Sequence, residues 1–167
     1  TSGTDNNLLS IIVVLAGHEV EDLETVRVND TNLTTTSSGG FQYATNSEFT
    51  NSDNDNKFSV SNSLLRFRFK DGSQTTADST IVGATNLGNS DKFINCAYVL
   101  VQMVFDSEKF SSLPNLSFIV KGKKVYDPRN PSAAPAFSTN PALCIRDYLT
   151  DTQYGLKAKD SEILDTT

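Results

Sequence analysis

A chain of 167 residues suits one domain, and at this size folding removes roughly two-thirds of the unfolded surface from water. Its composition, 37% apolar and 20% charged, is that of an ordinary globular protein and excludes a collagenous or disordered chain. The formal net charge of −6 argues against nucleic acid as the main partner, because phosphate contact needs a basic face.

The chain opens on Thr1 rather than Met, so a processed chain or an excised piece of a longer one is expected. The longest apolar run, "LLSIIVVLAG" at 8–17, is shorter than the ~20 residues that span a bilayer, and no basic segment precedes it as in a signal peptide. Ile11, Ile12, Val13 and Val14 predict a buried strand. "TVRVND" at 25–30 alternates Val26 and Val28 with Arg27 and Asn29, the pattern of a half-buried strand. "GHEVED" between them reads as a connector, with Gly17 for the turn and its charges in water.

Residues 31–63 are mostly Thr, Ser, Asn, Asp and Gly. They predict a long solvated loop or weak hairpin, an insertion pinned by Phe41, Tyr43, Phe49 and Phe58 and tolerant of shortening at 44–56. In "LLRFRFK", Leu65, Phe67 and Phe69 face one way, and Arg66, Arg68 and Lys70 face the other, expected solvent side. Asp71-Gly72 then turns the chain. Residues 74–90 read as irregular, with room for one short helical turn.

"FINCAYVLVQMVFD" at 93–106 is apolar on both faces, with Ala97, Val99, Val101, Met103 and Phe105 in one row and Tyr98, Leu100 and Val104 in the other. Such a strand belongs in the centre of a sheet or between layers. "LSFIVKGKKVYD" at 116–127 predicts two strands joined by a type II′ turn at Gly122-Lys123, with Pro128 ending the pairing. A Pro- and Ala-rich connector over 130–141 leads to a helix at 140–151. Asn140 caps it, Pro141 takes its first position, and Ala142, Cys144, Ile145, Tyr148 and Leu149 form its apolar stripe. That stripe is expected to pack on the β domain. Leu143, among Arg146 and Asp147, is expected to touch something beyond this chain. The fold class is therefore mainly β, a sandwich or barrel-like set of antiparallel sheets, with one short helix near the C-terminus.

Chemical motifs are scarce. His18-Glu19 opens like the helix motif of zinc proteases, but the second His would fall at Asp22, and His18 is the only histidine. A lone His beside a turn reads as a solvated or capping residue rather than a catalytic base. "DNDN" at 53–56 starts like a calcium loop, but Phe58 stands where its Gly should be and Leu64 where its Glu should be. Lys121, Lys123, Lys124 and Arg129 lack the interleaved aromatic platform of a nucleic-acid site and read as a solvated hairpin tip. Cys96 and Cys144 lie in apolar runs and are expected to be buried free thiols, with a single disulfide as the alternative. No catalytic, cofactor-binding or metal-ligating residue is assigned, no cofactor is expected, and the chain is not expected to be an enzyme.

Four phrases carry a resemblance. They are "LAGHEVEDLETVRVND" (15–30), "DGSQTTAD" (71–78), "PNLSFIVKGKKVYDPR" (114–129) and "NPALCIRDYLTDTQYGL" (140–156). Together and in this order they resemble the central tail-hub or tip attachment proteins of siphovirus-type bacteriophages and prophages. "YGLK" stands where that family commonly has "YGLG", and "NLGNSDKFIN" replaces a Trp-containing stretch. The resemblance implies a structural component of the tail tip, acting in tail assembly and host attachment. It implies a homotrimer in the intact hub, with other phage tail proteins and a host surface receptor as partners. It also implies a virion location after assembly in the host cytoplasm. On this reading 1–137 is a β-rich hub domain with a polar insertion at 31–63, and 138–167 is a helix-containing segment leading into the rest of a longer chain. The alternative is a receptor- or glycan-binding module of the tail tip that uses the 31–63 loop. A tail-tip peptidase or cell-wall hydrolase is disfavoured by the missing catalytic set.

Overall fold

The computed structural model describes residues 7–55, 58, 60, 62–84, 87–110 and 112–163. Among them, eight strands form two antiparallel sheets: β1 (Leu8–Ala16), β2 (Asp22–Val28), β3 (Thr31–Asn32), β4 (Thr35–Ser38), β5 (Phe41–Ala44), β6 (Leu65–Lys70), β7 (Ala97–Val104) and β8 (Leu116–Lys121). The larger sheet runs β1-β7-β6-β5-β4 and the smaller β3-β2-β8. A short helix, α1 (Ser79–Ala84), and a longer one, α2 (Pro141–Thr150), complete the elements. The mainly β expectation, with one helix near the C-terminus, holds.

Every residue of β7 is buried, because β1 and β6 flank it and both of its faces are covered. On one face Val99, Val101 and Met103 join Leu65 and Phe67 of β6 and Val26 and Val28 of β2, so the two sheets pack as a sandwich. On the other face Tyr98 and Leu100 meet Phe41 and Tyr43 of β5 and Ile81 of α1. The second covering layer explains why the run is apolar on both sides. Its last residues differ from expectation. Val104 joins the inter-sheet cluster, and Phe105, beyond the strand end, is exposed. The first strand is half-buried rather than buried, because β1 lies at a sheet edge with β7 on one side only.

The first part of the expected insertion at 31–63 contributes three strands, β3, β4 and β5, to the two sheets. Asn29 and Asp30, with φ of 48° and 65°, close the β2–β3 hairpin, so "TVRVND" is a strand that ends in a turn. Gly39 and Gly40, with φ of 56° and 77°, close β4 onto β5, and β5 pairs with β6. Phe41, Tyr43 and Phe49 are buried, and Phe58 packs against both clusters, so all four aromatics act as pins. Phe49 stacks on Phe110 at 5.9 Å between ring centroids. Low average hydrophobicity hid this, because a few large side chains at alternate positions suffice to dock a strand. Shortening 44–56 removes Ala44 and Phe49 from the core. It is therefore expected to lower stability by at least ~3–5 kcal/mol, the range for truncating one buried Phe. An unchanged urea midpoint in the shortened protein would contradict this.

The basic side of β6 is not a solvent side. The Arg66 guanidinium lies 4.2 Å and 4.1 Å from the ring centroids of Phe41 and Phe58. Arg68 lies over Phe41 and pairs with Asp78 at 3.1 Å. These cations share their face of the sheet with the second cluster, where aromatic rings and a carboxylate receive them.

The hairpin expected at Gly122-Lys123 does not form. A type II′ turn needs positive φ at its first central residue, and Gly122 does not have it. β8 instead pairs with β2, and Val125 makes an isolated bridge to Ala136. Both cysteines are free, but neither is fully buried. Cys96 precedes β7 and is half-buried, and Cys144 is exposed on the outer side of α2.

Candidate functional site

Beyond the ends of β1 and β8, distant parts of the chain converge on an open cleft of about 370 Å³. Gly17 and His18 come from the connector after β1, and Lys123 comes from the segment after β8. Asp147, Tyr148, Asp151 and Tyr154 come from α2 and the turn that follows it.

α2 begins as its sequence predicts, with Pro141 at the first position and the Asn140 side chain accepting from the Ala142 N–H at 3.0 Å. Its orientation is the reverse of the expected one. Leu143 is its one buried residue, 8% exposed, and anchors the helix within this chain. The stripe faces outward, with Ile145 60% and Tyr148 55% exposed. The cause is ionic. The Lys123 ammonium sits between Asp147, at 2.8 Å, and Asp151, which requires the charged side of the helix to face the body. Partial burial pushes the Lys123 pKa down, but the hydrogen bonds and charges of the two carboxylates outweigh it and hold the pKa above its ordinary value. The hydrogen bond from Lys123, with the N–H groups of Tyr154 and Gln153, holds the Asp151 carboxyl well below the usual carboxylate range.

The turn after the helix closes the clasp. The Tyr154 hydroxyl donates to the Gly17 carbonyl at 3.2 Å, and the Leu156 N–H donates to the Tyr148 carbonyl at 3.0 Å. A Cβ on Gly155 would stand 2.0 Å from the Tyr148 carbonyl oxygen, so only glycine fits. Gly155→Ala is expected to detach the turn and lower stability by about 1–3 kcal/mol, the usual range for overpacking. Amide hydrogen exchange should quicken in α2 while β7 stays protected. Unchanged exchange in α2 would show that the turn is not held by this contact.

The other residues singled out from sequence take structural places. His18 Nδ1 lies 2.9 Å from the Glu19 carbonyl oxygen, in the connector expected for it. Glu19 and Glu21 are exposed as anticipated, but Val20 between them is buried. Lys123 and Lys124 pair with carboxylates distant in sequence, Lys124 with Glu19 at 2.7 Å, and brace the chain rather than tip a hairpin, while the exposed Arg129 pairs with Asp127 two residues before it. In the "DNDN" stretch, Asn54 donates to the Asp106 carboxylate at 3.1 Å, as Asn51 does at 2.7 Å. Among the described residues no group of three or more His, Cys, Asp or Glu side chains is placed to hold a metal ion. The chemistry of the cleft is ion pairing and hydrogen bonding between segments. Sequence reasoning missed the Lys123–Asp147–Asp151 triad, for which no local spacing is a signal.

The class the fold defines is a two-sheet antiparallel β protein with a helix clasped across its strand ends. Compared with known proteins, the chain matches no family model and no curated sequence. No helix among the described residues is long and apolar enough to cross a membrane.

Proposed function

We propose that this chain is a structural domain of the tail hub of a siphovirus-type phage or prophage, contributing to tail assembly and host attachment. What supports the reading is that the four phrases carrying the resemblance pack on one another. The Val20 N–H of the first donates to the Asp71 carbonyl of the second at 2.9 Å. Glu19 of the first pairs with Lys124 of the third. Lys123 of the third holds Asp147 and Asp151 of the fourth, and Tyr154 of the fourth returns to Gly17 of the first. Residues that resemble one family in order thus share one mechanical task, fixing the ends of the sandwich to the C-terminal helix. A task of this kind suits a component that bears load and presents surfaces, with no reaction to perform. In the intact hub the partners are two further copies, neighbouring tail proteins and a host surface receptor, and the location is the virion tail tip.

The test is electron microscopy of virions carrying the intact protein with an epitope tag. A threefold ring of label at the distal end of the tail is expected. Label elsewhere on the particle, or purified virions without the protein, would overturn the proposal.

A further inference from the structure

A second cleft, of about 400 Å³, lies between the two sheets, away from the clasp. Its volume falls within the range of small-molecule sites. Leu33, Phe67 and Phe69 give it an apolar floor, and Glu24, Asn32 and Gln42 are among the polar residues that line it.

A defect in β2 shapes this site. The β2–β8 register places Leu23 opposite Val120 and Thr25 opposite Ile119, so Glu24 is an extra residue with no counterpart. Such a bulge re-aims one side chain and recurs beside binding sites. Here it leaves the Glu24 carboxylate at the cleft with no hydrogen bond or ion pair among the described residues. Gln42 comes from the other sheet, where its register partner is Phe67. Its Oε1 accepts from the Thr35 hydroxyl at 3.2 Å, and its amide N–H groups have no acceptor among the described residues. Asn32 likewise accepts from Arg27 Nε at 2.8 Å through its oxygen, and its amide donors have no acceptor among the described residues. One strong acceptor and two amide donors therefore share a cleft with an apolar floor.

We propose that this cleft binds one unit of a neutral saccharide. Adjacent ring hydroxyls donate to Glu24 and accept from Asn32 and Gln42, and the C–H face of the ring rests on Leu33 and Phe69. Asp22 beside Glu24, and the net charge of −6, disfavour an anionic ligand. A peptide strand is the main competitor, because β3 covers only Arg27 and Val28 of β2 and leaves its edge open. The bulge disfavours it by breaking the regular ladder that strand addition uses. The proposal stands on this cleft alone and holds whether or not the chain is a hub domain.

The experiment is an amide NMR titration of the whole chain with methyl α-D-glucopyranoside, methyl α-D-galactopyranoside and N-acetylglucosamine. D-glucuronate and an uncharged strand-forming peptide are titrated in parallel. Shifts at Glu24, Thr25, Asn32 and Gln42 are expected with at least one neutral sugar, with a dissociation constant in the millimolar range. Glu24→Ala and Gln42→Ala should each weaken binding, Glu24→Ala by about tenfold through loss of a charge-assisted bond, with melting unchanged. Glu48→Ala, an exposed carboxylate elsewhere, should have no effect. No shifts with any neutral sugar at tens of millimolar, shifts with the peptide or glucuronate alone, or binding indifferent to Glu24→Ala would each overturn the proposal.

Discussion

Val101→Asp is expected to abolish folding. Val101 is 1% exposed in the middle of β7, opposite Ile11 on β1 and Phe67 on β6. Its side chain points into the cluster built from both sheets, among Val26, Val28 and Met103. An ionised carboxylate placed there unpaired carries a desolvation penalty that exceeds the ~5–15 kcal/mol stability of a typical domain. Protonation at neutral pH lessens the penalty but still leaves a polar group in an apolar site. The protein should be insoluble, or show no cooperative transition by circular dichroism. Val101→Ala, which only opens a small cavity, should fold with a lowered melting temperature. A soluble Val101→Asp protein that melts cooperatively would overturn the central placement of β7.

β7 was legible because its signal is local. An apolar run on both faces has one good explanation, a strand covered twice, and the second cover turned out to be α1 and β5. The start of α2 was legible for a similar reason, since Asn140 and Pro141 act on their immediate neighbours. The face that α2 presents was not legible. Its apolar stripe predicts an inward side, but Lys123, 24 residues before Asp147, turns the charged side in. β5 was missed because Phe41 and Tyr43 are diluted by polar neighbours, and only pairing with β6 makes a strand of them. In both candidate clefts the deciding features are non-local. The clasp depends on contacts such as Glu19 to Lys124, 105 residues apart. The exposure of Glu24 depends on a register shift against β8 that the regular alternation of β2 conceals.

Arg68→Ala is expected to lower stability by roughly 3 kcal/mol, although alternation places Arg68 on the polar side of its strand. Arg68 Nη1 donates to both Asp78 oxygens and to the Thr80 hydroxyl, each at 3.1 Å, and Nε and Nη2 donate to the Gly40 and Gly39 carbonyls, also at 3.1 Å. Truncation leaves an Asp78 side chain that is 1% exposed with the Thr80 N–H, at 2.8 Å, and Lys70, at 3.8 Å, but without its closest cation. It also unties the turn between β4 and β5. The pH dependence separates this loss from a packing defect. Burial alone pushes the Asp78 carboxyl up, but the Thr80 N–H, the Arg68 hydrogen bond and charge, and the Lys70 charge outweigh it, so the pKa lies below its ordinary 3.8. A depressed folded-state pKa stabilises above the unfolded value and loses that contribution as pH falls through the folded one. Wild-type stability should therefore decline below about pH 4. Without Arg68 the Thr80 N–H and Lys70 still oppose burial, but the Arg68 hydrogen bond and charge are gone, so the Asp78 pKa rises relative to wild type and acid removes less stability from the variant. The deficit of Arg68→Ala, measured by urea unfolding, should be largest near pH 7 and shrink toward pH 4. Arg68→Lys keeps the charge without the planar fork and should fall between the two. Arg68→Met with Asp78→Leu, which removes both charges, should recover part of the loss. A deficit for Arg68→Ala within about half a kcal/mol, the range of ordinary surface substitutions, would return Arg68 to the solvent side.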